Sequence, residues 1–533
     1  MDWGVSEFES ELVDAVGTGW VRPRSARLWV RSSKGGRLRV ILRDQQDRTI
    51  TGEGTFEPVR SPELDGSASF RWPEDVEGAR ELLRPGSNYS YEIVRERDDV
   101  RLGHGEIATP PEGDDDCPEK FAIAVASCHQ PFEDDGTISK KASRLVDKAH
   151  EVLDAHHVKA VVLCGDQMYT DYPQTKSLFE DEFFAKVGPR GRSSMLECSR
   201  EEVRSLLHAR YRAFWGMNEF QRLQADWACY PMLDDHEIVD NFGSAPAHDT
   251  DEWRAIRAGA LDACHDYQTS RVLGRHGSRP DSLHYGFRWG PVGCFVMDLR
   301  SEKRATEDEC SIYSTQQLED LARFLRGNED AGLLMVTLSV PLAHIPEWMS
   351  AAGKVFEGEG GDLADRWGQP AARRSRDQVM ALLYEHRQRR PWQPLVLLGG
   401  DVHMGAVSEL RWKDDSAASM YQLISSPLTN DETPVVKLGS ALAHEMLQEI
   451  EGPEGVPAAQ VRLLPGSAGL NRNPLPALNM GIVEVTRREG RTFFKLMQLA
   501  LGDDDEPHIV YESAELPGPM GGGPAARGDY LTK

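Results

Sequence analysis

Hydrophobic and polar positions follow two rhythms along the chain. From about Gly19 to Thr109, short stretches such as ARLWVR, LRVILR, SASFRW and YSYEIVRE alternate apolar and polar residues between turn residues. That pattern predicts an antiparallel β-sandwich. Farther on, continuous apolar runs alternate with helical patterns. Strands are expected near 121–126, 159–164, 229–233, 283–289, 292–298, 333–340 and 395–400. Helices are expected near 139–155 and 315–327, with a long helical stretch near 177–226 and β-rich sequence from about 418 onward. This strand–helix–strand rhythm predicts an α/β domain.

The stretch LRPGSNYSYEIV resembles the strand entry of fibronectin-like or immunoglobulin-like modules. Between the two rhythms, PPEGDDDCPEK (Pro110 to Lys120) combines prolines, a glycine and a block of acids, which places a boundary near residue 118. The expected organisation is an N-terminal β-sandwich and linker over 1–117, a catalytic α/β domain over 118–516, and a flexible Gly/Pro-rich tail over 517–533. A chain of 533 residues exceeds what one core normally supports, in keeping with that division.

Each of four apolar runs ends in residues able to hold a metal: FAIAVASCHQP (Phe121 to Pro131), VVLCGDQMYTD (Val161 to Asp171), YPMLDDHEIVDN (Tyr230 to Asn241) and LVLLGGDVHMG (Leu395 to Gly405). Loops past the carboxyl ends of parallel strands form the usual rim of an α/β active site, so the four ends point to one binuclear metallohydrolase centre. Asp166 follows a buried strand and a glycine turn, where its two oxygens can each serve a metal; the alternative is a helix N-cap. Tyr169 supplies a phenol that a strong Lewis acid would ionise. Asp235, in an acidic cluster that would repel itself without cations, is a candidate ligand, and His236 beside it a candidate proton donor. Asp401 and His403 lie two apart on an extended chain and so share a face. Cys128 offers a thiolate or, alternatively, a small buried core residue.

Composition narrows the partners. Lys and Arg number 61 against 86 Asp and Glu, a formal charge of -25, which argues against a nucleic-acid or anionic-membrane surface. A phosphate-ester substrate stays compatible, because bound cations invert the potential inside one cleft. Eight cysteines without CxxC spacing suit reduced core thiols. No run approaches the roughly 18 to 20 apolar residues of a membrane span, and the first residues lack an export signal or a twin-arginine pair, so a cytoplasmic location is expected.

Taken in order, S-C, G-D-x-x-Y, D-D-H-E and G-D-x-H, the motifs resemble those of the PhoD-like alkaline phosphatases, a branch of the calcineurin-like metallophosphoesterase superfamily. YRAFWG (Tyr211 to Gly216), FVMDLRSEKR (Phe295 to Arg304) and YSTQQLEDL (Tyr313 to Leu321) look like the family's connecting segments. The resemblance implies a calcineurin-like metallophosphatase α/β sandwich behind the N-terminal β-module. It also implies ferric iron held by Cys128, Asp166, Tyr169 and His403, with calcium or another divalent metal near Asp166, Asp235 and Asp401. In LMVTLSVPLAH (Leu334 to His344), neither Ser339 nor His344 matches a ligand motif.

The implied activity is hydrolysis of small phosphate monoesters or diesters by attack of a metal-bound hydroxide on phosphorus, with His236 protonating the leaving oxygen. Arg300 would clamp a nonbridging oxygen, the alternative being a surface ion pair with one of the many acids. A different class of function is a catalytically silent metal-binding module acting through protein interactions. A zinc amide hydrolase is disfavoured by a carboxylate-rich set without HExxH.

Overall fold

The computed structural model describes residues 4–58, 61–113, 116–274, 277–306, 308–350, 365–431, 442, 444–446 and 449–520, the last four by backbone alone. Among these, two large sheets face each other. One has eleven strands and the other eight. At the centre of the first, Lys120–Ala126, Val158–Cys164 and Ala228–Met232 run parallel. In the second, Val292–Val296, Leu333–Thr337, Leu395–Gly399 and Met420–Ile424 run parallel.

Period two along these strands divides the core. Val296, Met335 and Leu398 face the first sheet and pack in one cluster with Ile123, Val125 and Val162. Their neighbours Phe295, Val336 and Leu397 point outward, where Leu321, Phe324, Val379 and Leu383 cover them. Those covering residues lie on the helices Thr315–Gly327 and Arg373–Arg389. Burial of each such side chain contributes about 1.5–3 kcal/mol, so both faces must be covered for the sheet to stand. The α/β domain anticipated from the strand rhythm is thus present, and its two facing sheets form the α/β sandwich that the resemblance implies, with parallel strands where the apolar runs are continuous.

The long helical stretch expected near 177–226 is instead three helices, Asp181–Val187, Arg200–Phe214 and Asn218–Asp226. Gly188 and Pro189 end the first. Ser199 starts the second: its Oγ accepts the Glu202 N–H at 3.3 Å, while Glu202 Oε2 accepts the Ser199 N–H at 2.8 Å. A further helix, Asp251–Tyr267, packs against Arg200–Phe214.

The N-terminal β-region shares a sheet with the rest. Asp14–Arg22, Ser25–Ser32 and Ser67–Trp72 extend the first sheet beyond Ala228–Met232, through parallel pairing of Thr18 with Ala228. Ile50–Phe56, Leu38–Asp44, Asn88–Arg95 and Val100–Ala108 form a separate four-stranded sheet. At the join, buried Thr18 donates its hydroxyl to the Ala225 carbonyl at 3.0 Å. The Arg271 guanidinium lies 5.0 Å from both the Trp29 and Trp215 rings and donates to Gln224 at 2.8 Å. A Cβ at Gly19 would stand 2.2 Å from the Arg271 carbonyl oxygen, so only glycine lets the two segments meet.

At the other end of the chain, Leu516–Met520 pairs with the strand Arg491–Leu501, so the first residues of the anticipated tail form an edge strand; 521–533 lie outside the described residues. Cys128, Cys164, Cys198, Cys229, Cys264 and Cys294 are buried free thiols. Among the described residues, no helix is long and apolar enough to cross a membrane.

Candidate metal centre

The parallel strands of both sheets direct their carboxyl ends to one place. Ala126 leads to Cys128, Cys164 to Asp166, Met232 to Asp234 and Asp235, Gly399 to Asp401, and Ile424 to Ser426. Four of the turn residues there have left-handed backbones without being glycine: Cys128 (φ 58°), Asp166 (56°), Asp401 (64°) and His403 (50°). Such conformations persist only when the surroundings over-determine them, and they concentrate at functional sites.

Asp166 is the hinge of the centre. Its Oδ2 receives Cys128 Sγ at 3.3 Å and the Tyr169 hydroxyl at 3.5 Å, while its Oδ1 receives the His236 backbone N–H at 3.3 Å. One oxygen therefore faces the thiol and phenol, and the other faces the second group of carboxylates. Ligand atoms of Asp166, Asp235 and His236 come within 4.8 Å of one another, and so do those of Asp234, Asp235 and Asp401. Asp234 thus joins the centre, although sequence reasoning passed over it in favour of its neighbour.

The electrostatics favour cations. Burial, then the Asp235 charge, pushes the Asp166 carboxyl well above its ordinary range. Burial raises Asp234 and Asp401 as well, and lifts Glu237 to about 7. Asp235 is also buried, but Arg300 and His236 hold it below the usual value. Two buried carboxylate oxygens, Asp234 Oδ2 and Asp235 Oδ1, have no hydrogen-bond partner. Oxygens so placed fit coordination by a hard cation, and the thiol and phenol on the far side of Asp166 fit a more strongly acidic one.

His236 stacks on the Tyr169 ring at 4.2 Å, and its Nδ1 lies 2.8 Å from Asp171 Oδ1. Burial opposes a charge on this imidazole. Asp171 and Asp235 outweigh it and raise the pKa well above the ordinary histidine value. Asp171 fixes the ring's orientation, and Nε2 is directed to the side of half-exposed Asp240, 3.8 Å away.

Arg300 lies within the centre rather than at the surface, its side chain 0% exposed. It pairs with Asp234 and, at 2.6 Å, with Asp365, and stands 3.5 Å from Asp235 and 3.7 Å from Asp401. Its place is behind the carboxylates, partly neutralising them. Arg366 also pairs with Asp401, and Lys303 with Asp365.

His403 does not join either converging group. Its backbone N–H donates to Ser426 Oγ at 3.0 Å, and its Nε2 lies 3.4 Å from Asn430 Nδ2. His344 stays apart as well, its carbonyl accepting from His444 at 3.2 Å, whereas Ser339 donates to Asp234 Oδ1 at 2.7 Å. Glu237, next to His236, accepts hydrogen bonds from the N–H groups of Gln167 (2.6 Å), Asp234 (2.8 Å) and Asp166 (3.1 Å) and from Gln268 Nε2 (2.9 Å). One carboxylate thereby ties two of the ligand loops together.

The sequence model of the PhoD-like phosphatase family matches residues 123–454, which span the residues of this centre. The solved structure of PhoD superposes with a TM-score of 0.64 and 16% identity, covering 94% of this chain and 88% of that one. A 5'-nucleotidase from Candida albicans (11% identity, 58% of this chain, 45% of that one, TM-score 0.28) and the FN5 domain of Drosophila Lar (13%, 19%, 99%, 0.14) are too distant to bear on the fold. No curated protein matches the sequence. Matched over more than half its length, and in the region that carries every one of these strand-end loops, the chain belongs to the PhoD-like phosphatase family.

Proposed function

We propose that this chain is a metal-dependent phosphoesterase acting on small phosphate monoesters or diesters, with ferric iron beside Cys128, Asp166, Tyr169 and His403 and calcium or another divalent ion beside Asp166, Asp235 and Asp401. The observation that carries the reading is the convergence of Asp166, Asp234, Asp235, His236 and Asp401, with Asp234 Oδ2 buried and without a hydrogen bond and Asp166 contacted on both of its oxygens. A buried carboxylate oxygen without a partner is costly, and a cation would satisfy it. Metal ions held there would activate water and neutralise the charge of a phosphate ester.

The chain's own residues divide the remaining work. Asp171 holds His236 by Nδ1, which leaves Nε2 to hand a proton to the leaving oxygen. Arg300 takes up part of the carboxylates' negative charge from behind and keeps them together in the absence of substrate.

The test is hydrolysis of paired chromogenic phosphate monoesters and diesters by wild type and Asp166→Asn, with iron and calcium supplied and then chelated. Turnover is expected in the metal-loaded wild type, lost on chelation and reduced at least about 100-fold in the mutant, in line with removal of a charge-stabilising group. Metal-loaded protein that turns over neither ester would overturn the reading.

A further inference from the structure

We propose that Ser426 is a positioning residue that sets both the place and the electron donation of the Cys128 sulfur; the inference rests on Cys128 being a metal ligand. Ser426 follows the strand Met420–Ile424 and is 0% exposed. Its Oγ accepts the backbone N–H of His403 at 3.0 Å and stands 3.1 Å from Cys128 Sγ. A hydroxyl has one proton. With the amide occupying an acceptor position, that proton is directed to the sulfur. Ser127, whose Oγ is 3.4 Å from the same sulfur, donates its own proton to the Ser425 carbonyl at 2.9 Å.

The hydroxyl therefore joins two residues with left-handed backbones, Cys128 and His403, that arrive on strands of opposite sheets. The same segment fixes the backbone around the cysteine. Leu428 N–H donates to the Ser127 carbonyl at 2.8 Å, and Thr429 N–H to the Cys128 carbonyl at 3.3 Å. Thr429 Oγ1 also reaches His129 Nδ1 at 3.2 Å. A strained turn held from several directions keeps its sulfur in one place, and a hydrogen bond to that sulfur draws electron density away from any metal it binds.

Cobalt(II) is a suitable probe, because sulfur-to-cobalt charge-transfer absorption reports the donor directly. In Ser426→Ala the band is expected to move to lower energy, and cobalt affinity to fall about 10- to 100-fold, the usual effect of losing an outer partner of a ligand. Ser426→Thr restores the hydroxyl and should return the band toward its wild-type position. At saturating metal, kcat should fall in the alanine variant with KM little changed. Melting of the metal-free proteins checks that each variant folds, and Ser426→Gly replaces the alanine variant should that one fail.

A folded hydroxyl-less variant with wild-type affinity and an unmoved band would overturn the proposal. The Cys128→Ser variant separates the two layers of the argument. A wild-type protein with no band that depends on Cys128 removes the ligand assignment itself, and the proposal with it.

Discussion

Single residues at the centre act on more than one loop. Glu237 is 0% exposed and receives hydrogen bonds from Asp166, Gln167, Asp234 and Gln268. Removing it in Glu237→Ala leaves these donors buried and unmatched, at about 1–3 kcal/mol each. The expected loss is about 3 kcal/mol or more of unfolding free energy, measured by urea titration, together with weakened metal binding. Asp171→Asn is milder: the ring of His236 loses its charged partner while the carboxylate cluster stays intact. The rate should fall about 10- to 100-fold at unchanged metal content. Of the residues involved, Cys128, Asp166, Tyr169, Asp235, His236 and Asp401 were readable because each follows an apolar run at a strand end. Asp171, Ser426 and Asn430 were not, since an aspartate, a serine and an asparagine in a turn are what ordinary loop chemistry also selects. The position of Arg300 behind the aspartates depends on packing that no local pattern records.

At the level of elements, strand positions followed from hydrophobic runs to within a few residues: the run near 159–164 is Val158–Cys164, and the helix near 139–155 is Lys140–Ala155. The run near 333–340 ends early, at Thr337, because Leu338, Ser339 and Val340 are apolar or small yet belong to the buried loop beneath Asp234. The region 177–226 divides at Gly188 and Pro189, which end the first helix, and at Ser199, whose capping box opens the second. Glycine decides a turn once at the centre itself. Gly165 has φ 91°, and a Cβ there would fall 2.4 Å from Asp234 Cβ. Gly165→Ala should therefore push the Asp166 and Asp234 loops apart, lowering the melting temperature and impairing metal binding together. An unchanged melting temperature would count against this close approach.

For the molecule as a whole, a polar joint connects the N-terminal region to the helices. Asp65 meets Arg212 at 2.7 Å, Arg31 at 3.2 Å and the Tyr267 hydroxyl at 2.5 Å. Burial works against its charge, but Arg31, His208 and Arg212 hold its pKa down to about 2 against an ordinary 3.8. A depressed carboxylate stabilises the fold above its unfolded pKa and loses that contribution as pH falls through the folded one. Asp65 should thus contribute about 2 kcal/mol at pH 5 that vanishes toward pH 2. The stability difference between wild type and Asp65→Asn, followed by denaturant titration across that window, should shrink as the solution is acidified.

The pairing of Thr18 with Ala228 also has a temporal side. During synthesis the strand Asp14–Arg22 leaves the ribosome some two hundred residues before its neighbour Ala228–Met232 exists. Until then its outer edge presents unpaired backbone groups, the template on which other chains add. The first hundred residues must therefore wait, with one flank open, for the middle of the chain to be made. The nascent protein is exposed to aggregation during that interval, and a chaperone that shields a bare strand edge would raise its yield more than one acting on the finished molecule.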